Sequence, residues 1–377
     1  MKISRFVPPA RVLLGPGPSD VPARVLLAMA QPTIGHLDPA FINMMEEIKA
    51  LLQYAFRTDN SLTLPISAPG SAGMEASLAN LVEPGDKVIV CRNGVFGARM
   101  ADIVGRIGGT PVLVDNAFGE AVDPDKLADA LKRHPDTKVV AFVHAETSTG
   151  VLSDAKTLAE VAHRAGALVL TDTVTAVGGV PVETDAWGLD AVYAGTQKCL
   201  SCPPGLSPMT LNERAMDKVK GRREKPRTWF LDFNLLMGYW GTGKRVYHHT
   251  APINLLYALH EALVMLQEEG LEASFARHRQ NHERLVKGLE GLGLEMAVPA
   301  AIRLPQLNSV LVPAGVDEAR VRADLLAWFG IEIGAGLGEL AGKVWRIGLM
   351  GQGSNRRNVA LCIDGLRAAL AAQGYHP

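Results

Sequence analysis

From about Leu62 the chain alternates short, nearly continuous apolar runs with stretches of helical periodicity. LTLPI (62–66), KVIVCR (87–92), PVLVDN (111–116), KVVAFVHAE (138–146), ALVLTD (167–172) and DAVYAGT (190–196) read as strands. Helices are predicted between them: one from Ala72, one through FGARMADIVGRIG, one over 123–134 and one over 153–166. The third has Asp123 as N-cap and Pro124 at the first helical position. The fourth is read with Ser153 as N-cap and Gly166 as terminator. Apolar strands without period-two alternation, interleaved with helices, predict a mainly parallel sheet covered on both faces.

After Lys198 the pattern changes. Two helical stretches, about 252–268 and 271–293, lead to NSVLVPAG and KVWRIGLMG as strands, with DEARVRADLLAWFG and RNVALCIDGLRAALAAQG as helices. The expected organisation is an N-terminal arm over 1–16, a large α/β domain over 17–270 and a smaller C-terminal α/β domain over 271–377.

Open α/β sheets place ligands at the C-terminal ends of their strands. Two strands end there in chemistry-bearing residues. Asp172 closes an apolar run, so its carboxylate needs a partner at the edge of the core. It either caps a loop or faces a ring nitrogen that must stay protonated. Lys198 follows AGTQ and is clamped by a Pro-Pro-Gly turn, whereas most lysines lie on solvated faces. One crossover separates the two, which puts them at one sheet edge. SAPGSAGMEA (67–76) follows a strand and opens a helix; its small residues and amide donors suit a phosphate.

Composition adds exclusions. Among 377 residues, 38 Lys and Arg against 39 Asp and Glu give a net charge of −1, which offers no electrostatic case for nucleic acid or an anionic membrane. Lys218 to Arg227 forms a basic cluster, read as a solvated loop. Four cysteines do not make a disulfide scaffold. Neither a signal peptide nor a membrane span is expected, so the expected location is cytoplasmic.

Several motifs are set aside. GYWGTGK (238–244) resembles part of a phosphate loop, but Arg245 follows where Ser or Thr is required and no strand precedes it. Cys199 and Cys202 form a lone C-x-x-C without a second pair, so no metal is expected. His278 and His282 share a helix face within RHRQNHER, whose polarity reads as a solvated helix.

The segments GPGPS (15–19), GSAGMEA (70–76), HAETSTG (144–150), TDTVTAVGG (171–179), GTQKCLSCPPG (195–205), YHHT (247–250) and GKVWRIGLMG (342–351) together resemble the fold-type I, class V aminotransferases. The likeness is nearest to the alanine–glyoxylate and serine–glyoxylate group, and it runs from about residue 11 to the last helix.

The resemblance implies pyridoxal 5'-phosphate as cofactor, held by Lys198 as a Schiff base, with Asp172 at the ring nitrogen. It implies Val174 beneath the ring and Phe96 where many relatives stack a tryptophan. Gly70, Ser71, Ala72 and Gln197 would hold the phosphate, with Ser71 departing from the histidine of some relatives. Thr147 would reach the cofactor hydroxyl. Tyr247 and Thr250 would reach the phosphate of the neighbouring subunit's site in a homodimer, and the adjoining His248 and His249 would be part of the same inter-subunit segment. Arg346 would clamp the substrate carboxylate, and Gly17 and His36 would stand on the substrate side.

The implied reaction moves an amino group from alanine or serine to glyoxylate. A branch acting on (S)-ureidoglycine is the alternative; its pattern has Asn and Gln where this chain has Tyr247 and His36, although GTQKCLS is similar to it. A cysteine desulfurase or related lyase of the same fold needs a cysteine that GAGLGELAGK (334–343) does not provide, and tends to have His at the position of Gln197. A non-catalytic cofactor-binding protein would have no need of Lys198, Asp172 and Arg346 together.

Overall fold

The computed structural model describes residues 3–241 and 245–376. The last three residues of GYWGTGK therefore lie outside the described residues. The central sheet comprises β1 (Leu62–Ile66), β2 (Lys87–Arg92), β3 (Thr110–Asp115), β4 (Thr137–Val143), β5 (Leu168–Asp172), β6 (Ala191–Tyr193) and β7 (Ser207–Leu211). Their order is β1-β7-β6-β5-β4-β2-β3, and only β7 runs antiparallel to its neighbours. β5 and β6 are central and adjacent, so the residues at and beyond their C-terminal ends share one edge.

The pattern of apolar residues misses β7. Its sequence is SPMTL, and Pro208 sits opposite Pro65 in the ladder. Proline gives the ladder no N–H and is unusual inside a sheet. The helix Gly70–Leu81 starts two residues earlier than predicted. It lies hard against the sheet: a Cβ on Gly73 would stand 2.0 Å from Ser207 Oγ and 3.3 Å from Tyr193 Cβ. Helix Ala155–Arg164 is capped by Asp154, which accepts from Thr157 N, and not by Ser153. Ser153 is buried instead, its hydroxyl accepting from Val122 N.

A second sheet holds β8 (Leu307–Leu311), β9 (Gly334–Ala335) and β10 (Val344–Gly348) in the antiparallel order β8-β10-β9. Its core gathers Val310, Trp345 and Ile347 with Leu285, Leu325 and Leu366 from three helices. Leu14 joins this core, and Val12–Leu13 pairs in parallel with Ile331–Glu332. The N-terminal segment is thus tied to the second sheet before it reaches the first.

Two polar readings need correction. His278 is fully buried in helix Leu271–Glu290, and Asn281 beside it is buried too. These two polar residues meet backbone, while Arg279, Gln280, Glu283 and Arg284 stay exposed: His278 Nε2 accepts from Gly351 N at 2.9 Å and Asn281 Nδ2 donates to Ser354 O at 2.9 Å. In the basic cluster, Arg222 Nη1 donates to Asn80 O and Val82 O, satisfying carbonyls at the end of helix Gly70–Leu81, and Lys218 pairs with Asp86. Among the described residues no helix is long and apolar enough to cross a membrane, and no group of side chains is arranged to hold a metal.

Candidate active site

A cavity of about 290 Å³ opens at the C-terminal edge of the central sheet. Gly70, Ser71, Phe96, Thr147, Asp172, Val174, Gln197 and Lys198 all line it, with Arg99 and Thr175. Residues from five separate segments of sequence converge here because parallel strands deliver their following loops to one edge.

Asp172 is buried at the end of β5. Its Oδ2 accepts from Tyr193 Oη at 2.6 Å and its Oδ1 from Val174 N at 2.8 Å. Burial drives its carboxyl up to about 6, against the lowering effect of those two hydrogen bonds. Tyr193 is the partner the carboxylate needed. Its place, in register with Asp172 on the adjacent strand, follows from the pairing of β5 with β6.

Lys198 is buried, and its Nζ donates to Pro16 O. Burial lowers its ammonium to about 8, helped by the positive Arg346. A free amine is accordingly accessible near neutral pH, as a nucleophilic or proton-carrying lysine requires. The lysine turn is fixed through its backbone: Ser19 Oγ and Ser201 N both donate to Lys198 O. Gly17 stands against the amine. It has φ +107°, and a Cβ there would lie 2.4 Å from Lys198 Nζ.

Three unsatisfied or shape-defining features make the cavity a cradle. Gln197 Oε1 and Thr175 Oγ1 are buried without a hydrogen-bond partner. A Cβ on Gly70 would sit 3.3 Å from Val174 Cγ2. Ser71, in the first turn of helix Gly70–Leu81, accepts from Arg99 Nη1 at 3.1 Å. The Arg99 guanidinium lies over the Phe96 ring, 4.9 Å from its centroid. Ala72 sits in the same turn but does not line the cavity; its amide donates to Pro69 O. Arg99, Thr175 and Tyr193 were not singled out from sequence, and only the strand register could have pointed to one of them.

Arg346 is carried by β10 and is buried beside the cavity. Its Nε donates to Ala335 O at 2.7 Å and its Nη1 to Thr147 O at 3.0 Å. Among the described residues it forms no ion pair. Burial lowers its guanidinium to about 10, opposed by the charge of Glu146.

Tyr247 and Thr250 are exposed and do not line this cavity; their hydroxyls lie 3.5 Å apart. The His36 and Tyr247 rings lie 5.4 Å apart. Cys199 and Cys202 are buried free thiols, each raised by burial, Cys199 to about 12. At that value a thiolate nucleophile is not available.

A family model described as aminotransferase class-V matches residues 11–344. The chain is 41% identical to an alanine–glyoxylate aminotransferase of Oryctolagus cuniculus over 96% of this chain and 93% of that one. It is 37% identical to an (S)-ureidoglycine–glyoxylate transaminase of Bacillus subtilis over 96% of this chain and 91% of that one. The crystal structure of an alanine–glyoxylate aminotransferase from Nostoc sp. is 47% identical, with a TM-score of 0.96 and 98% of each chain covered. The chain belongs to the class-V aminotransferases, pyridoxal-phosphate-dependent transaminases of fold type I.

Proposed function

We propose that this transaminase moves the amino group of alanine or serine to glyoxylate in the cavity that holds Asp172 and Lys198. The observation that carries the reading is Arg346. A buried guanidinium is costly to leave without an anion, and among the described residues this one has only carbonyl oxygens. An α-carboxylate, common to the amino donor and the oxo acid, supplies the missing charge in a two-point hydrogen bond.

The cavity fits pyridoxal phosphate. When bound, that cofactor supplies an electron-accepting ring and a carbon at which the amino group is exchanged. Asp172 would pair with the ring nitrogen and keep a proton on it. Val174 and Phe96 would pack against the ring. Thr147 would meet the ring hydroxyl. Gly70, Ser71 and the side-chain Nε2 of Gln197 would hold the phosphate at the helix N-terminus. Lys198 Nζ would hold the cofactor and would carry the α-proton. Gly17, by having no side chain, leaves that amine room to work.

Tyr247 and Thr250 reach the site of a second subunit, so the active unit is a homodimer. Their exposure in the single chain supports this. The division into an arm, a large domain to about residue 270 and a small domain beyond draws on the two apolar cores, although Leu271, Phe275, Leu304, Leu307 and Met350 pack into the first and Leu14 into the second. Four unpaired thiols accord with the reducing cytoplasm.

Glyoxylate is common to the names of the rabbit and Bacillus relatives. The donor is the finer question. His36 and Tyr247 meet as one ring pair, where the ureidoglycine pattern has two amides. A donor screen against glyoxylate with alanine, serine, aspartate and (S)-ureidoglycine tests this. Alanine or serine should give the highest kcat/KM; turnover dominated by (S)-ureidoglycine would overturn the donor assignment.

A further inference from the structure

Glu146 is a buried carboxylate that the reaction described above does not use. It is fully inaccessible and, among the described residues, forms no ion pair. Its Oε1 accepts from Ser148 N at 3.0 Å and from Ser148 Oγ at 2.6 Å. Its Oε2 accepts from Phe96 N at 3.3 Å. Ser148 Oγ in turn accepts from Val95 N at 2.9 Å.

Val95 and Phe96 are the first two residues of helix Val95–Arg106, whose N-cap is Gly94. A helix start leaves its first amides unpaired, and the N-cap side chain ordinarily takes one of them. Gly94 has no side chain to offer. It cannot acquire one, since a Cβ there would lie 2.4 Å from Glu146 Cδ and 2.5 Å from Ser148 Oγ. Two residues of the HAETSTG segment therefore do the capping from across the sheet edge. A negative charge at this end also meets the positive end of the helix dipole.

This helix brings Phe96 and Arg99 to the cavity wall, and Thr147 lies between the two capping residues in sequence while lining the same cavity. We infer that Glu146, with Ser148, is a positioning residue that sets the Phe96 ring against the cofactor by capping the helix that carries it. Burial raises the Glu146 carboxyl, and the hydrogen bonds from Ser148, Phe96 and Gly97 oppose that rise. The inference rests on the proposed stacking of Phe96.

The test is a double-mutant cycle read by equilibrium binding of pyridoxal phosphate to protein stripped of it, with thermal stability recorded beside it. Phe96→Ala alone should weaken binding. Glu146→Gln alone should weaken it about tenfold, the scale of a lost helix cap. In the Phe96→Ala background, Glu146→Gln should add almost nothing, because the ring it positions is gone. A loss that adds in full would show that Glu146 acts independently of Phe96, and so would an unchanged affinity in Glu146→Gln; either overturns the inference and leaves the stacking intact. Phe96→Ala without effect would overturn the stacking itself and the inference with it. Should Glu146→Gln not fold, Ser148→Ala removes the other cap acceptor and carries the same cycle.

Discussion

Tyr193 donates a 2.6 Å hydrogen bond to Asp172 from the adjacent strand, at the position where parallel register pairs the two residues. That hydroxyl favours the ionised carboxylate, while burial opposes it and leaves the carboxyl at about 6. Tyr193→Phe should therefore push Asp172 further up. In the cofactor-free protein the Asp172 titration followed by NMR should move to higher pH by about one unit, the worth of a hydrogen bond to a charged group. A titration that stays in place would show that the Tyr193 hydroxyl does not act on Asp172.

The same carboxylate costs stability. Burial pushes the Asp172 carboxyl of the folded, cofactor-free protein up to about 6 from an ordinary 3.8. A raised folded value means that its contribution is fully present below about pH 4 and is lost as pH rises through 6. At pH 7.5 the penalty is on the order of 3 kcal/mol. Asp172→Asn should accordingly raise the melting temperature of the cofactor-free protein at pH 7.5 while cutting turnover severely. Equal melting temperatures at pH 7.5, or a gain that is no smaller at pH 4, would contradict this origin of the strain.

Arg346→Lys keeps a positive charge but loses the planar fork. Binding of both amino donor and glyoxylate should weaken by roughly 2–5 kcal/mol, the cost of truncating one partner of a buried charge pair. Affinity for pyridoxal phosphate should change little, because among the residues proposed to hold the cofactor Arg346 bonds only the Thr147 carbonyl. Steady-state kinetics of the two half-reactions checks this; unaltered Michaelis constants would place the carboxylate elsewhere.

A homodimer with shared sites makes a specific demand on mixtures. Lys198→Ala should be inactive alone, and a Tyr247→Phe, Thr250→Ala double variant should be impaired. Each mixed dimer contains one site with every part intact, so mixing should restore activity towards about one quarter of wild type when exchange is random. Proven subunit exchange without recovery would mean that each chain completes its own site.

Much of the site was legible because parallel α/β folds force chemistry to strand ends. Asp172 and Lys198 could be placed at one edge from an apolar run, a crossover and a turn. Tyr193 could not, because a tyrosine in AVYAGT looks like core until the register of β5 with β6 is known. Strand β7 escaped because Pro208 argues against a central strand, although its carbonyl still bonds Ala194 N. Helix Leu271–Glu290 misled for the opposite reason. Polarity was read as solvent exposure, whereas His278 and Asn281 face the 351–354 loop, whose backbone groups need polar partners.

That buried histidine gives a pH dependence of its own. Burial, with the adjacent Arg277 charge, lowers His278 to about 4 from an ordinary 6.5. The neutral ring is what the fold uses: Nδ1 is 2.7 Å from Ser274 O, and Nε2 accepts from Gly351 N. A second proton would leave Gly351 N facing another donor. With the folded value depressed, the stabilisation is complete above pH 6.5 and is lost as pH falls through 4. The amount is on the order of 3 kcal/mol. The loop concerned also holds the lysine turn, since Gln352 N donates to Ser201 Oγ, three residues beyond Lys198. His278→Gln should be less stable than wild type at pH 8 but should lose less between pH 6.5 and 4, so the two denaturation curves converge on acidification. Parallel loss of stability in both proteins across that window would show that His278 does not titrate there.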